Sequence, residues 1–246
     1  MKYQLIILCA LWKLWFVLNF IITLLLLYPV FLVLLSREKW FDAAFRLMRA
    51  WAAWICYAAG IFPSVKYEMD IDEIPNPCIF ISNHSSYLDI LLSYISVPNY
   101  FVFVGKQELD KAPLFRIFFK RMNILVNRKS NVDSHRAYVR SAEKIDKGQS
   151  VFIFPEATIS SGGVLIPFKN GAFKLAIDKQ VPIVPIIFFD NWKRLQNGGF
   201  LTANGSPGKV RALVRNAVET KGMTNADLIP LREKLKSIIQ ETLDKA

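Results

Sequence analysis

Near its start the chain carries a long apolar run. No charged residue occurs from Leu14 to Leu35, and about 20 apolar residues suffice for a helix to cross the hydrocarbon core of a bilayer. The run exceeds the apolar region of a cleaved signal peptide, and no small-residue cleavage site follows it. We therefore expect residues 1–36 to be a retained membrane anchor. It is either a spanning helix, kinked at Pro29 and with Lys13 reaching toward the bilayer surface, or a re-entrant hairpin.

The next segment, residues 37–62, has the polar and apolar periodicity of an amphipathic helix. One predicted face carries Lys39, Asp42, Arg46 and Arg49, and the other carries Phe41, Phe45, Met48, Ala52 and Ile55. Tryptophans at 40, 51 and 54 suit the headgroup level of a membrane. Such a helix either lies in the interface with its basic face toward anionic lipid, which we favour because the anchor directly precedes it, or packs on the rest of the protein.

From residue 63 to 246 short apolar runs rich in β-forming residues alternate with helical patterns. The predicted strands are 78–82, 100–104, 124–126, 151–154, 183–189 and 209–215, and the predicted helices are 86–95, 113–121, 134–146, 171–178 and 226–243. This alternation predicts an α/β domain with a largely parallel sheet flanked by helices. It would follow the N-terminal membrane-anchoring helix and the interfacial amphipathic helix.

Composition and charge narrow the choice of partners. Hydrophobic residues make up 53% of the chain, and 31 Lys and Arg against 20 Asp and Glu give a formal charge of +11. A basic chain attracts nucleic acid, an anionic bilayer surface or a phosphate-bearing substrate. The apolar surplus favours the bilayer, and no nucleic-acid-binding motif is present. The positive cluster that follows the anchor predicts a cytoplasmic location for the domain. Cys9, Cys56 and Cys78 lack metal-ligand spacing, so we expect free thiols and no metal site.

His84 is the first candidate for chemistry because it lies between a predicted strand and a predicted helix, with Asp89 five residues later. A carboxylate that binds one imidazole nitrogen fixes the tautomer, and it stabilises the imidazolium formed when the other nitrogen takes a proton from a hydroxyl. Ser86-x-x-Asp89 also resembles a helix capping box. Spacing alone leaves a catalytic pair and a structural histidine equally open. His135, the other histidine, lies among polar residues of a predicted exposed helix and is interpreted as a surface residue.

Polar residues follow several other predicted strands. Glu156 and Thr158 lie in the loop after strand 151–154, and Lys169 lies in a turn before a predicted helix, where an anion can bind. Lys106 and Arg128 follow two further strands and can converge at the same edge of the sheet. Each of these features alone is typical of an ordinary surface loop.

Together these segments resemble the glycerolipid acyltransferases, the family of lysophosphatidic acid and glycerol-phosphate acyltransferases. That family has four ordered blocks. They match Asn83 to Asp89 (NHSSYLD, the H-x4-D block), Ile124 to Arg128 (ILVNR), Phe154 to Ser160 (FPEATIS, usually FPEGTRS) and Val181 to Pro185 (VPIVP). The resemblance covers about residues 77–190.

The resemblance implies a mechanism and a set of site residues. His84 would be the general base on an acceptor hydroxyl and Asp89 its orienting partner, with acyl carrier protein or coenzyme A thioesters as acyl donors and no metal or cofactor. The glycerol phosphate of the acceptor would be bound by Lys106, Arg128, Glu156, Ala157, Thr158 and Lys169.

The third block departs from the family pattern. Ala157 replaces the usual glycine and Ile159 the usual arginine, which forfeits a charge-assisted contact to phosphate. Three explanations are open, in the following order of preference. The remaining cations bind the phosphate without this arginine, or the acceptor is a phosphate-free lyso-lipid such as a lyso amino-acid lipid. In the third explanation the enzymatic activity of the chain is degraded. The leading hypothesis is synthesis of phosphatidic acid from 1-acyl-sn-glycerol 3-phosphate. A non-enzymatic membrane lipid-binding protein is the alternative from another class.

Overall fold

Helices flank both faces of a twisted sheet in the computed structural model, which describes residues 2–107, 114, 116–127 and 129–245. The helices are α1 (Lys2–Leu34), α2 (Phe41–Ala58), α3 (Leu88–Ser96), α4 (Arg116–Arg121), α5 (Asn131–Asp146), α6 (Gly171–Lys179), α7 (Asn191–Arg194) and α8 (Leu228–Asp244). The strands are β1 (Ile61–Tyr67), β2 (Ile79–Ser82), β3 (Phe101–Lys106), β4 (Ile124–Val126), β5 (Ser150–Ile153), β6 (Ile183–Phe188) and β7 (Gly208–Val214).

The strands form one sheet in the order β1-β7-β6-β2-β5-β3-β4. Strands β6, β2, β5, β3 and β4 run parallel to one another, whereas β7 is antiparallel to β6 and β1 is parallel to β7. The predicted largely parallel sheet is therefore confirmed. Every residue of the central strand β2 is buried, which explains why this strand is a continuous apolar run rather than an alternating one.

Alternate residues of the central strands enter two separate hydrophobic cores. Phe80 of β2 points into the core shared with α1, α2 and α3, while its neighbours Ile79 and Ile81 point into the core shared with α5, α6 and α8. The first core is aromatic: the rings of Phe101 and Phe152 lie 5.2 Å apart between their centroids, and each is also in ring contact with Phe80. Both faces of the sheet are thus covered, as a parallel sheet requires.

Helix α1 is one continuous helix that includes Pro29, so the apolar run does not fold back into a hairpin. Residues Ile6–Leu34 have a mean hydropathy of 2.6, and by length and composition this helix can cross a membrane. One stripe of α1, which includes Phe16, Leu24 and Phe31, is buried against the protein, and most of its remaining large apolar side chains are exposed.

One expectation about this N-terminal region is wrong. Lys13 does not reach toward a bilayer surface: its side chain is buried and donates to the carbonyl oxygens of Phe200 and Ala203. The apolar face of α2 is buried where α2 packs against α1, α3 and β1, which agrees with the alternative of an amphipathic helix packed on the rest of the protein. Trp51 is buried with this face, whereas Trp54 remains 57% exposed. Contact of the basic face of α2 with anionic lipid stays a prediction.

Strand β1 and the short helix α7 are missing from the predicted elements. Strand β1 contains Pro63 and has the irregular burial of a strand at the edge of the sheet, where a missing amide N–H is tolerated. The predicted helix over residues 113–121 begins at Arg116 among the described residues.

Candidate active site

The carboxyl ends of the parallel strands bring the predicted site residues to one edge of the sheet. His84 follows β2, Glu156 follows the neighbouring β5, and Asn191 follows β6 on the other side of β2. Parallel strands that lie side by side end at the same edge, so the loops after β5, β2 and β6 meet there. The predicted convergence of the His84 loop and the Glu156 loop is observed.

The imidazole of His84 is held by Asp89. Its Nδ1 lies 2.9 Å from Oδ2 of Asp89, and the histidine side chain is 12% exposed while the aspartate is fully buried. The same Oδ2 accepts hydrogen bonds from the backbone N–H groups of Ser85 at 2.7 Å and Ser86 at 2.9 Å. Because backbone amides can only donate, Asp89 acts as an acceptor, and its contact with His84 assigns the proton to Nδ1. The other ring nitrogen, Nε2, is left with a lone pair that can take a proton.

Asp89 also contacts the turn that precedes α3, where the sequence suggested a capping box. It lies in the first turn of α3 and accepts from Ser86 N, while Ser86 Oγ accepts from Leu88 N at 3.1 Å. The capping box is not complete, because Asp89 N donates to the backbone carbonyl of Ser86 and the N-cap residue Tyr87 has no side-chain cap hydrogen bond. The carboxylate therefore holds this turn and orients the imidazole at the same time.

Sequence reasoning missed two asparagines that complete this arrangement. Asn191, fully buried in α7, donates from Nδ2 to Oδ1 of Asp89 at 2.7 Å. Asn83 donates to the carbonyl of Phe188 and accepts from its N–H, each at 2.9 Å, which joins the end of β2 to the end of β6. Asn191 has no local signal because it lies 102 positions from Asp89.

The ring of His84 packs on Phe154, and its backbone is anchored on both sides. The two ring centroids are 4.0 Å apart with an interplanar angle of 19°. The backbone N–H of His84 donates to Oε1 of Glu156 at 2.6 Å, and its carbonyl accepts from Ser160 N at 2.8 Å. The loop after β5 therefore fixes the position of the histidine in addition to lining the site.

Glu156, which the resemblance places in the acceptor site, is buried and holds the backbone on both sides of it. It is only 2% exposed, and its second oxygen, Oε2, accepts from Ile166 N at 3.1 Å. Burial, with a smaller contribution from the charge of Asp89, raises the pKa of this carboxyl to about 7 against the opposing effect of the two backbone hydrogen bonds. With both oxygens engaged by backbone amides, Glu156 joins the His84 loop to the segment before α6.

A scan against protein-family models matches residues 66–188 to the family described as Acyltransferase, and this region contains all four sequence blocks. The chain belongs to the acyltransferase family. It is accordingly an O-acyltransferase.

Individual relatives agree with this assignment. The putative 1-acyl-sn-glycerol-3-phosphate acyltransferase acl-2 of Caenorhabditis elegans is 29% identical over 200 residues, covering 80% of this chain and 68% of the relative. The 1-acyl-sn-glycerol-3-phosphate acyltransferase beta of Homo sapiens is 33% identical over 159 residues, covering 62% of this chain and 54% of the relative. The chain thus spans about two thirds of the first and about half of the second.

A solved structure has the same fold. The crystal structure of the 1-acyl-sn-glycerophosphate (LPA) acyltransferase PlsC from Thermotoga maritima superposes with a TM-score of 0.81 at 22% identity, over 97% of this chain and 96% of that one. The match includes the N-terminal helices as well as the sheet.

The third block of this acyltransferase contains a strained alanine. Ala157, where the family usually has glycine, has φ 60°, and its N–H donates to the carbonyl of Phe154 at 3.0 Å. Side chains other than hydrogen disfavour this left-handed conformation. The following Thr158 is exposed.

The predicted cations of the acyltransferase lie at the same edge as far as they are described. Lys106 ends β3 and is exposed, and Lys169 is exposed in the turn before α6, where its backbone N–H donates to the carbonyl of Pro155 at 2.8 Å. Arg128 lies outside the described residues. His135 is exposed on α5, as expected for a surface residue.

Replacing the strained alanine should stabilise the enzyme. We expect Ala157→Gly to increase the free energy of unfolding by about 1 kcal/mol, because glycine adopts this conformation without steric cost. Denaturant unfolding of the purified protein in detergent measures the change. Gly148→Ala is the matched control. Gly148 has φ +75° and open space around its Cα, so adding a methyl group there should lower the free energy of unfolding. A neutral or destabilising effect of Ala157→Gly would contradict the strain.

Glu156 should make stability depend on pH. Because its pKa is raised from 4.5 to about 7, the folded protein retains a proton that the unfolded chain releases. Its contribution is therefore fully present below pH 4.5 and is lost as pH rises through 7. Glu156→Gln removes this titration, so the melting temperature of the variant relative to wild type should rise between about pH 5 and about pH 8. Glu233→Gln, at a 53% exposed carboxyl, is the control. An equal difference at both pH values would refute the assignment.

Proposed function

We propose that this enzyme transfers a fatty acyl chain from a thioester to the free hydroxyl of 1-acyl-sn-glycerol 3-phosphate, giving phosphatidic acid. The His84–Asp89 pair carries the proposal, since it leaves Nε2 of a nearly buried imidazole as a base. The names of the relatives, which describe 1-acyl-sn-glycerol-3-phosphate acyltransferases, support the choice of acceptor.

The proposed reaction proceeds without a covalent enzyme intermediate. Nε2 of His84 takes the proton of the acceptor hydroxyl while its oxygen attacks the thioester carbonyl. The buried carboxylate of Asp89, 2.9 Å from Nδ1, stabilises the imidazolium that forms. When the tetrahedral intermediate collapses, the carbon–sulfur bond breaks, the ester remains on the acceptor, and His84 returns its proton to the leaving thiolate. No metal or cofactor takes part.

The acceptor phosphate would be bound by the cations at the carboxyl edge of the sheet. Lys106 is the last residue of β3, Lys169 precedes α6, and Arg128 belongs to the second sequence block. Lysine and arginine bind phosphate through charge-assisted hydrogen bonds. The exposed hydroxyl of Thr158 supplies a further polar contact, and Ala157 shapes the turn that presents it. Glu156 holds this loop in place by accepting hydrogen bonds from the backbone N–H groups of His84 and Ile166.

We assign the acyl donor to the thioesters of acyl carrier protein or coenzyme A, both of which present the same reacting group. Helix α1 would hold the enzyme at a membrane, where lysophosphatidic acid resides. The basic residues Arg37, Lys39 and Arg46 after this helix favour a cytoplasmic location of the catalytic domain and contact with anionic lipid.

Removal of the base should abolish most turnover. With purified enzyme, lysophosphatidic acid and each donor type, we expect His84→Ala to lower kcat by about two to four orders of magnitude while thermal unfolding stays close to wild type. His135→Ala is the matched control, because this histidine is exposed on α5, and it should retain full activity. Absence of phosphatidic acid with both donors from the wild-type enzyme would refute the acceptor, and near-normal turnover by His84→Ala would refute the mechanism.

A phosphate-free lyso-lipid is a second candidate acceptor, favoured by Ile159 where the family usually has arginine. Ile159 is half-buried, between exposed Thr158 and buried Ser160. If phosphate is the native ligand of this edge, the other cations must compensate for the missing arginine. If it is not, the enzyme should prefer the phosphate-free acceptor.

Restoring the cation distinguishes the two acceptors. We expect Ile159→Arg to lower KM for lysophosphatidic acid by about tenfold relative to a phosphate-free lyso-lipid, the value of one charge-assisted hydrogen bond. Val164→Arg, at a 67% exposed position of the following loop, controls for a general increase in positive charge. An unchanged ratio of the two KM values would show that position 159 does not contact the acceptor phosphate.

A further inference from the structure

Residues 195–206 form a hairpin that projects from the end of α7. Leu195 and Gly205 form an antiparallel bridge, Gln196 N donates to the carbonyl of Asn204 at 2.9 Å, and Ser206 N donates to the carbonyl of Arg194 at 2.9 Å. We call this segment the 195–206 hairpin. Its backbone pairing gives it a defined structure, and the proposed acyl-transfer reaction uses none of its residues.

The tip of the 195–206 hairpin exposes two large apolar side chains in succession. Phe200 is 49% exposed and Leu201 is 67% exposed. They follow Gly198 and Gly199, and the turn is closed by Ala203 N donating to the carbonyl of Gly199 at 2.9 Å. Adjacent exposed phenylalanine and leucine side chains on a hydrogen-bonded turn cost solubility and are typical of a contact surface.

The 195–206 hairpin is fastened to α1 by a buried lysine. Nζ of Lys13 donates to the carbonyl of Phe200 at 3.0 Å and to that of Ala203, and it lies 5.9 Å from the centre of the Phe200 ring. Gly205 packs so closely on α1 that a Cβ there would meet Cε of Lys13 at 2.8 Å. The buried ammonium group is expensive unless its hydrogen bonds are made, so these contacts hold the tip against α1.

The surface of α1 around this attachment is apolar. Ile6 and Val17, which lie two turns before and one turn after Lys13 on the same side of α1, are each 41% exposed, and the neighbouring Leu14 is 47% exposed. Nε1 of Trp15 donates to the carbonyl of Ala58 at 2.8 Å, which brings the end of α2 to the same part of α1. The exposed rings there are those of Trp15, Tyr57 and Phe62. Exposed apolar and aromatic side chains of this kind suit the boundary between hydrocarbon and headgroups.

We propose that the 195–206 hairpin inserts Phe200 and Leu201 into the lipid surface that covers α1, so that the enzyme contacts the bilayer through its catalytic domain as well as its N-terminal helix. The partner is a phospholipid bilayer because the tip is continuous with the exposed face of a helix apolar enough to cross one. The competing possibility is that the tip binds another protein. In that case Phe200 and Leu201 would stay in water when the enzyme is reconstituted into vesicles without that protein.

This contact places the bilayer close to the catalytic pair. The carbonyl of Leu195, at the base of the hairpin, accepts from Ser86 Oγ at 2.6 Å, and Ser86 N donates to Asp89. Leu195 and Phe200 are five residues apart, so the chain between them spans at most about 17 Å. A lipid acceptor could thus reach His84 from the bilayer without leaving it entirely.

A site-specific fluorophore tests the proposal in the full-length chain. Leu201→Cys in a Cys9→Ala background is labelled with an environment-sensitive nitrobenzoxadiazole dye and reconstituted into phosphatidylcholine–phosphatidylglycerol vesicles. Cys56 and Cys78 are buried, and burial raises the pKa of each thiol to about 12, so they should not react. We expect blue-shifted emission and quenching by spin-labelled lipid. Ile229→Cys, at a 46% exposed residue of α8 on the other face of the sheet, should remain in water and be quenched by aqueous iodide.

Emission at position 201 that matches position 229 in wavelength and in iodide quenching would overturn the proposal, and it would point to a protein partner for the tip. Phe200→Cys provides an independent label if Leu201→Cys unfolds at a lower temperature than the parent. Because the readout is fluorescence, a failure here leaves the acyl-transfer proposal untouched, and a failed acyltransferase assay leaves this one untouched.

Discussion

The buried carboxylate of Asp89 is the constraint on which the catalytic edge depends. An ionised carboxylate without solvent must find donors, and Asp89 finds them in His84, Ser85, Ser86 and Asn191. These donors come from the loop after β2 and from the helix after β6, while Asp89 itself lies in the first turn of α3. Satisfying one buried charge therefore fixes three elements of the sheet edge and, with them, the orientation of the imidazole.

A second buried carboxylate organises the other side of the same edge. Glu156 holds the backbone of His84 and the segment at Ile166, so the loop after β5 cannot shift without moving the histidine. The two acids differ in surroundings: three kinds of donor meet Asp89, including a side-chain amide, whereas Glu156 relies on backbone amides alone and has a raised pKa. The strain at Ala157 is held in place by this surrounding structure.

The two faces of the sheet carry hydrophobic cores of different composition. One face packs on α5, α6 and α8 in a mostly aliphatic core, while the other packs many aromatic residues against α1, α2 and α3. Helix α1 is thereby part of the folded domain as well as a candidate membrane span. Through Lys13 it holds the 195–206 hairpin, whose base contacts Ser86 beside the catalytic pair. Helix α1, the 195–206 hairpin and the His84–Asp89 pair therefore belong to one continuous scaffold.

Local patterns in the sequence determined the parts of this enzyme that depend on near neighbours. The alternation of strands and helices, the apolar length of α1 and the His84–Asp89 pair were all predictable, since strand periodicity, helix length and a five-residue spacing act within one segment. Tertiary structure alone decided that α2 buries its apolar face in protein, that Lys13 binds the hairpin, that Glu156 supports His84 and that Asn191 completes the Asp89 site. Each of these contacts joins residues far apart in the chain, and only the packing of the sheet brings them together.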